Sequence, residues 1–298
     1  MRGFLCLLLI PAVLNASPTP DTTPRPSLPR DTVFIGLDGF SRLLEKAEED
    51  KWNSLPIGER TAAIGRALVN TPYTSHTLEI DDKIEAPSVN FKGMDCWTFF
   101  ETSLSFARLL DLPEKERTPT ALLGLVELDR YRNGVCTGEY LSRLHYLEDW
   151  ASDNNRRGLV KDITGDLGGV EYDNTCREMT ILWRSYRYLR ATPSLVPAMT
   201  REEKRIQNLK TLYIPKSRVA AIESKLQSGD IIGIVSRDGG RLSTSHTGLA
   251  IRDGKGVLRF MHASSDRKKR RVLIDERLSD YLAGNSGQAG ILVCRPLR

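Results

Sequence analysis

The sequence has few of the features that mark several large protein classes. Of its 298 residues only 7% are aromatic, four are histidine and five are cysteine. After residues 1–16, no apolar run is long enough to cross a bilayer. No segment repeats, and no basic stretch is interleaved with the aromatic side chains that stack on nucleic-acid bases. These absences argue against a membrane-spanning protein, a repeat protein and a nucleic-acid-binding protein.

The N-terminus predicts export. Residues 1–16, MRGFLCLLLIPAVLNA, combine a basic start, an apolar stretch and a small final residue, which is the layout of a cleavable secretory signal. The apolar stretch is too short to favour a membrane anchor. Residues 17–30 are rich in proline and predict an extended spacer, so we expect the folded domain over residues 31–298. The prediction is a periplasmic protein without stable membrane insertion once the signal is cleaved.

Cysteine use leaves one structural question open. Cys6 lies within the predicted signal, so four cysteines remain in an exported chain that meets an oxidising compartment. Cys136 and Cys176 each follow a turn-like stretch and are the more plausible pair for a disulfide. Free, half-buried thiols are equally compatible with the sequence, because spacing alone does not fix connectivity.

The basic residues are mostly dispersed. The formal net charge is +5, and one cluster, the RKKRR segment of residues 267–271, stands out. Such a cluster is typical of a solvated hairpin tip. A functional interpretation is attraction to the anionic polymers of a cell envelope.

The pattern along the chain changes from helical to extended. Apolar spacing predicts two helices within residues 41–70, separated at Pro56, and another that begins near Cys96. A polar, helical region follows over about residues 112–225, and short apolar runs bounded by Gly, Asp and Ser then predict antiparallel strands. This order predicts an α+β fold in which helices pack on one face of an antiparallel sheet or open barrel.

Cys96 stands at a position that favours reactivity. In the stretch MDCWTFFETSLSFARLL, Asp95 is a good N-cap residue, and Trp97, Phe100 and Leu104 share one helical face. Cys96 then occupies the first turn, where unpaired N–H groups and the helix dipole favour an anion, which predicts a lowered thiol pKa. A buried, inert thiol is the competing interpretation for any single cysteine.

Two of the histidines lie in neighbouring predicted strands. His246 and His262 flank a DGK turn, and a hairpin centred near Gly254 makes them direct cross-strand partners about 5 Å apart. A nucleophile needs a base, and the base needs a group that orients it; Cys96, His246 and His262 supply these three parts. A zinc site made of the same three residues is the rival interpretation, but no fourth ligand stands out.

Several segments, in this order, carry a family resemblance. MDCWTFFE, SHTGLA and MHAS resemble the signature of papain-like cell-wall hydrolases of the NlpC superfamily. Together with NTPYTSHTLE, YLSRLHYLEDW and ILVCRP, they are similar to the exported bacterial N-acetylmuramoyl-L-alanine-amidase-like family. The resemblance extends from about Tyr73 to Pro296, and the ordered set is more specific than any single motif.

The resemblance implies a fold and a set of site residues. The fold would be a papain-like α+β core, with the Cys96 helix on a small antiparallel sheet and a helical subdomain over about residues 112–225. Cys96 would be the nucleophile, His246 the base and His262 the group that orients the base. Residues expected to bind substrate are Tyr73, Asp95, Arg143, Trp150 and Ser245. No metal or organic cofactor is implied, and we interpret His76 and His145 as structural.

The implied activity is hydrolysis of a peptidoglycan amide through a thioester. The family resemblance favours the bond between N-acetylmuramic acid and L-Ala of the stem peptide, whereas the wider superfamily mostly cuts after γ-D-glutamate. An endopeptidase would need a carboxylate near Cys96 to hold a free amine. Asp95 is the one adjacent in the sequence and is already engaged in capping, whereas the sequence does not place Glu79 and Asp149 relative to Cys96. A non-catalytic wall-binding module and a thiol acyltransferase are also compatible with the motifs. We expect a monomer whose partner is peptidoglycan or a muropeptide.

Overall fold

A computed structural model of the protein describes residues 27–238 and 241–297, so the predicted signal and most of the spacer lie outside the described residues. The helices are α1 (Arg30–Val33), α2 (Leu37–Glu49), α3 (Ile57–Ala67), α4 (Cys96–Leu109), α5 (Pro119–Arg130), α6 (Leu147–Arg156), α7 (Glu178–Ile181), α8 (Arg187–Ala191), α9 (Val196–Gln207), α10 (Lys216–Ile222) and α11 (Leu278–Ala283). The strands are β1 (Phe34–Ile35), β2 (Val89–Asn90), β3 (Val160–Asp162), β4 (Val170–Glu171), β5 (Leu212–Pro215), β6 (Ile231–Asp238), β7 (Arg241–Arg252), β8 (Leu258–Ala263), β9 (Val272–Arg277) and β10 (Gln288–Pro296). No helix within these described ranges has the length and apolar character to span a membrane.

The strands form an antiparallel sheet, as predicted, but with eight strands in the described part of the chain it is larger than the small sheet that the resemblance implies. Its order is β4-β5-β10-β6-β7-β8-β9, and β3 pairs with a further part of β10. Since β4 and β9 stand at opposite ends of this order, the sheet is open within the described part of the chain. The protein is therefore a mixed α+β fold with an open antiparallel sheet.

Helices cover both faces of the sheet, so the expectation of helices on one face only was wrong. Along β10, Leu292 and Cys294 belong to the apolar core that holds α3 and α4. The alternate residues Ile291 and Val293 belong to a second core with α10 and α11. The physical reason is visible in the strand itself: consecutive apolar residues, rather than alternating ones, are what a strand buried on both faces requires.

The region over residues 112–225 is not purely helical. It contains β3, β4 and β5, and all three join the large sheet. Its helices α7 to α9 nevertheless share a separate apolar cluster, which consists of Tyr140, Tyr146, Cys176, Met179, Tyr188, Leu189, Met199 and Ile206. The three strands have only two to four residues each, too few for a period-two pattern to show in the sequence.

Helix α4 is the buried centre of the domain. Asp95 caps it as predicted: its side chain accepts the Thr98 N–H at 2.8 Å, and Thr98 Oγ1 accepts the Asp95 N–H at 3.1 Å. The helix packs on α3, α5, β7 and β8. A fully buried ion pair between Glu101 and Arg130, 2.8 Å long, ties it to α5. The residue at its first position is therefore held in a fixed place.

No disulfide joins the cysteines in the described part of the chain. Cys136 and Cys176 are both buried and no disulfide joins them, so of the two alternatives that the sequence leaves open the structure has the thiols. Cys294 is also buried, whereas Cys96 keeps part of its surface exposed. Cys96 is thus the least buried of the described cysteines.

Candidate active site

Cys96, the first residue of α4, lines a cavity of about 340 Å³ together with His246. Thr247 Oγ1 donates to the Cys96 carbonyl oxygen at 2.9 Å, and this bond ties β7 to the start of the helix. Because His246 precedes Thr247 on the same strand, the bond also holds the backbone at His246 close to the start of α4. The cavity wall is formed by Tyr73, Ser75, His76, Leu78, Glu79, Asp95, Cys96, Trp97, Arg143, Leu144, His145, Tyr146, Leu147, Glu178, Met179, Tyr186, Thr244, Ser245, His246 and Thr247.

The two histidines meet, although the predicted register was wrong. His246 Nε2 and His262 Nδ1 are 2.7 Å apart, and the ring centroids are separated by 4.8 Å. Leu249 lies opposite Met261, which centres the hairpin on residue 255 instead of Gly254. The histidines are therefore diagonal neighbours rather than direct partners. The pairing differs by two residues, so both side chains stay on the same face.

A carboxylate extends the histidine pair. His262 Nε2 lies 3.2 Å from Asp275 Oδ2 on β9, and Lys269 Nζ lies 2.5 Å from the same oxygen. His262 is 2% exposed and Asp275 is 8% exposed, so this is a buried arrangement. Sequence reasoning missed Asp275. Its one signal was a carboxylate inside the short apolar run RVLID.

The predicted lowering of the Cys96 pKa was wrong. Burial of the sulfur raises the pKa of the Cys96 thiol to about 12, the Asp95 carboxylate raises it further, and hydrogen bonds from Thr247 oppose the rise only in part. Burial likewise lowers the pKa of His246 to about 3, helped by the neighbouring His262. Burial outweighs the helix dipole here, because it penalises each charged form directly. The resting pair is a neutral thiol and a neutral imidazole.

This charge state predicts how alkylation of Cys96 depends on pH. Iodoacetamide reacts with the thiolate, so its rate on Cys96 should keep rising from pH 7 to pH 10, with no plateau near neutrality. Asp95→Asn keeps a good N-cap residue but removes the charge that raises the pKa, so its profile should shift to lower pH. Mass spectrometry of the labelled peptide measures the rate, with Cys96→Ser as the blank. A plateau at or below pH 7 in the unmodified protein would show a preformed thiolate instead.

Four of the predicted substrate-binding residues lie on the cavity wall. Tyr73, Asp95, Arg143 and Ser245 all line it, and Ser245 also faces a second cavity beside His262. Burial raises the pKa of Tyr73 to about 12, so its hydroxyl is a hydrogen-bond donor at neutral pH. Their placement is compatible with substrate contact, which stays a prediction.

Arg143 already forms ion pairs with carboxylates of the protein itself. Its Nη2 lies 2.7 Å from Glu79 Oε1, and its Nε lies 3.3 Å from Glu85 Oε1. Glu79 also accepts hydrogen bonds from the Tyr140 hydroxyl at 2.8 Å and from the Tyr188 backbone N–H at 3.1 Å. Arg143 therefore belongs to a buried ion network at the wall, rather than projecting an isolated cation into the cavity.

Trp150 is a core residue. It is fully buried, and its ring packs edge-on against Phe100 with centroids 5.2 Å apart. It is absent from the residues that line the Cys96 cavity. A fully buried indole cannot contact substrate in this structure, so the prediction for Trp150 needs correction.

Among the titratable residues of the wall that were not predicted to bind substrate are two histidines and one glutamate. His76 and His145, which we interpreted as structural, both line the cavity. His145 Nε2 is 2.8 Å from the Tyr140 carbonyl oxygen, and burial holds the His145 pKa well below its usual value. Glu178, the first residue of α7, adds an exposed carboxylate at the rim. Their separation in sequence from Cys96 gave no signal of this proximity.

The basic cluster lies in the loop between β8 and β9, as a hairpin tip would, but it also contacts the site. Lys269 pairs with Asp275. The Arg270 guanidinium stands over the Tyr73 ring, with its central carbon 5.5 Å from the centroid. Part of the cluster is therefore structural support for residues beside the cavity.

Among the described residues, no group of three or more His, Cys, Asp or Glu side chains is arranged to hold a metal ion.

The segment that carries Tyr73 requires glycine at position 93. A Cβ atom added to Gly93 would lie 2.1 Å from Thr74 Oγ1 and 2.9 Å from Thr74 Cβ. Gly93→Ala should therefore displace this segment, destabilise the fold by about 1–3 kcal/mol and reduce turnover. Gly124→Ala is the matched control, because nothing lies near that exposed helical position. It should stabilise the protein by about 0.5–1 kcal/mol. The free energy of unfolding in denaturant and the turnover rate are measured for both variants. Equal values for Gly93→Ala and Gly124→Ala would contradict the close approach of residue 93 to Thr74.

A family model described as N-acetylmuramoyl-L-alanine amidase-like matches residues 63–291. The solved structure of an N-acetylmuramoyl-L-alanine amidase from Bacteroides uniformis is 29% identical, has a TM-score of 0.73 and covers 81% of this chain and 99% of its own. A Bacteroides fragilis protein named as a candidate xylanase is 33% identical, with a TM-score of 0.69, over 78% of this chain and 98% of its own.

A Legionella pneumophila protein, 21% identical with a TM-score of 0.65 over 89% of this chain and 96% of its own, shares the fold. No match was found among the curated proteins. The family model spans well over half of the sequence. The chain therefore belongs to the N-acetylmuramoyl-L-alanine amidase-like family.

Proposed function

We propose that the protein is a cysteine amidase with an NlpC-type papain-like core, which hydrolyses the amide between N-acetylmuramic acid and L-Ala in peptidoglycan. One observation carries the proposal: Cys96 and His246 line the same cavity, and His246 Nε2 is engaged by His262 at 2.7 Å. That contact leaves Nδ1 of His246 for the thiol. Nucleophile, base and orienting group are the parts that cysteine-dependent acyl transfer needs.

The proposed reaction begins from the neutral pair. His246 Nδ1 takes the proton from Cys96 as the sulfur attacks the amide carbonyl carbon, and the carbonyl oxygen becomes an oxyanion. Backbone N–H groups at the start of α4 stabilise that oxyanion. His246 then gives its proton to the leaving amine as the C–N bond breaks. The thioester that remains is hydrolysed by water, which His246 deprotonates, and Cys96 regains its proton.

The cavity's carboxylates bear on which bond is cut. An endopeptidase that binds a free N-terminal amine needs a carboxylate to hold it. Asp95 accepts hydrogen bonds from Thr77 and Thr98, and Glu79 is held by Arg143. The exposed Glu178 at the rim is the remaining carboxylate on this wall. The family membership favours the sugar–L-Ala amide, and the net charge of +5 suits a stem peptide that carries carboxylates.

Product analysis tests the proposed bond. Digestion of a disaccharide-tetrapeptide should release free disaccharide and an intact tetrapeptide that begins with L-Ala, both identified by mass spectrometry. Disaccharide still attached to L-Ala-D-Glu would identify an endopeptidase. Transfer of the acyl group to an added amine, without hydrolysis, would identify an acyltransferase. Binding to sacculi without turnover would identify a wall-binding module.

Glu178→Gln adds a second arm to this test. If the amidase proposal holds, this variant should keep the same products and a similar KM on the disaccharide-tetrapeptide. An endopeptidase that grips a free amine through Glu178 should instead show a several-fold higher KM on the free tetrapeptide. The two outcomes separate the substrate classes even when both activities are weak.

We also propose that the protein acts in the periplasm after removal of residues 1–16. The basis is the sequence of that segment, which lies outside the described residues. N-terminal sequencing of protein recovered from the periplasmic fraction should begin near residue 17. Recovery of full-length chain from the cytoplasm would contradict export.

A further inference from the structure

We propose that Asp275 is a positioning residue that sets the tautomer of the base, acting through His262. This inference rests on the proposed function, because it assigns a role toward the catalysis attributed to His246. It concerns a residue of β9, a strand that does not carry the nucleophile or the base.

The hydrogen-bond chain admits one consistent set of proton positions. An ionised carboxylate only accepts hydrogen bonds, so His262 Nε2, at 3.2 Å from Asp275 Oδ2, must carry a proton. A neutral His262 then presents a lone pair at Nδ1. His246 Nε2, 2.7 Å away, must donate to it. His246 is thereby left with a lone pair at Nδ1, the nitrogen that faces the thiol in the proposed mechanism.

The charge states that this hydrogen-bond chain requires agree with the surroundings of Asp275 and His262. The hydrogen bond from His262 and the nearby Lys269 ammonium hold the Asp275 pKa well below its usual range, so the carboxylate is ionised. Burial lowers the pKa of His262, so its imidazole is neutral at pH 7. While His246 holds the proton taken from Cys96, the Asp275 charge stabilises that imidazolium without itself accepting the proton.

Packing fixes the ring that transmits the effect. The His262 ring stacks on Phe260 at a centroid distance of 4.6 Å and an interplanar angle of 15°. Tyr281 packs edge-on against it at 5.3 Å. Rotation of the imidazole about its χ2 angle would break both contacts. The ring can therefore change its tautomer more easily than its orientation, which is why the partner of Nε2 decides the state of Nδ1.

The test reads the tautomers directly. Protein labelled with ¹⁵N-histidine gives long-range ¹H–¹⁵N correlations that distinguish the Nε2–H from the Nδ1–H form, with His246→Gln and His262→Gln for assignment. In the unmodified protein at pH 7, both histidines should be in the Nε2–H form. An Nδ1–H form of His246, or an imidazolium His262, would overturn the inference without any variant.

Asp275→Asn should change the tautomers of both histidines and also lower kcat. An amide NH₂ can donate to His262 Nε2, so an Nδ1–H population should appear at His262 and at His246. We expect kcat to fall by about 10²–10³-fold with KM nearly unchanged, as for an orienting carboxylate behind a catalytic histidine. A variant with the original tautomers and full kcat would refute the role of Asp275.

Two neighbours supply controls. Glu276→Gln changes an exposed carboxylate one residue away and should leave both tautomers and kcat unchanged. Lys269→Met removes the same ion pair as Asp275→Asn but leaves the acceptor for His262, so the tautomers at pH 7 should persist. If the Nε2–H forms of His246 and His262 do not persist in Lys269→Met, the change of tautomer follows from loss of the ion pair, and the inference is overturned. Cys96→Ser with full activity alongside shifted tautomers in Asp275→Asn would instead contradict only the proposed nucleophile.

Discussion

Cys96→Ser should keep the fold and lose more than about 10³-fold of the turnover on muropeptides, because a serine hydroxyl at this position is a much poorer nucleophile than the thiol. The substitution removes little volume at a partly exposed helix start, so thermal unfolding should change little. Initial rates of product release measured by chromatography, beside a circular-dichroism melting curve, check both expectations. Serine turnover comparable with that of the cysteine enzyme would rule out the thiol mechanism.

Cys136→Ser is the matched control for this result. Its buried thiol donates to the Glu85 carbonyl oxygen at 3.4 Å, a bond that a hydroxyl can also make, and it does not line the Cys96 cavity. Turnover should stay close to that of the unmodified protein. EDTA should also leave activity intact; loss of activity restored by added zinc would favour the metal interpretation of Cys96, His246 and His262.

The second large effect is expected at the two histidines, and it should be unequal. His246→Ala should abolish turnover, because each proton transfer in the proposed mechanism passes through that imidazole. His262→Ala should leave a measurable remainder, since His262 orients the base without transferring the proton to substrate. Each variant removes one imidazole, so each serves as a control for the other. Turnover is measured with saturating muropeptide over long incubations. This distinguishes a small residual turnover from complete loss.

Equal and complete loss in both variants would show that His262 does more than orient. Turnover by His262→Ala equal to that of the unmodified protein would show that the 2.7 Å contact is not used in catalysis. Folding of each variant is checked by the same melting curve, because His262 is almost fully buried and its removal leaves a cavity.

Local sequence determined the elements that carry the candidate site. Asp95 before an apolar helical face is enough to place the start of α4 at Cys96, because capping depends on neighbouring residues only. Pro56 directly precedes α3, because its fixed φ and missing N–H are tolerated at a helix start but not inside a helix. The strands that carry His246 and His262 can also be predicted locally, because an apolar run bounded by turn residues indicates a strand without reference to distant residues. The ordered motifs further identified the family.

Tertiary structure alone decided the charge state and the wider membership of the site. The rise in the Cys96 pKa comes chiefly from burial, and burial depends on which distant segments cover the sulfur. Asp275 reaches His262 only because β9 pairs with β8, and the register of that pairing is set by loops that the residue pattern does not define. The family resemblance assigned Trp150 to substrate binding, but packing on Phe100 places it in the core. Propensity and capping act over a few residues, whereas burial and the electric field at a group sum over atoms from the whole fold, which the order of residues along the chain does not display.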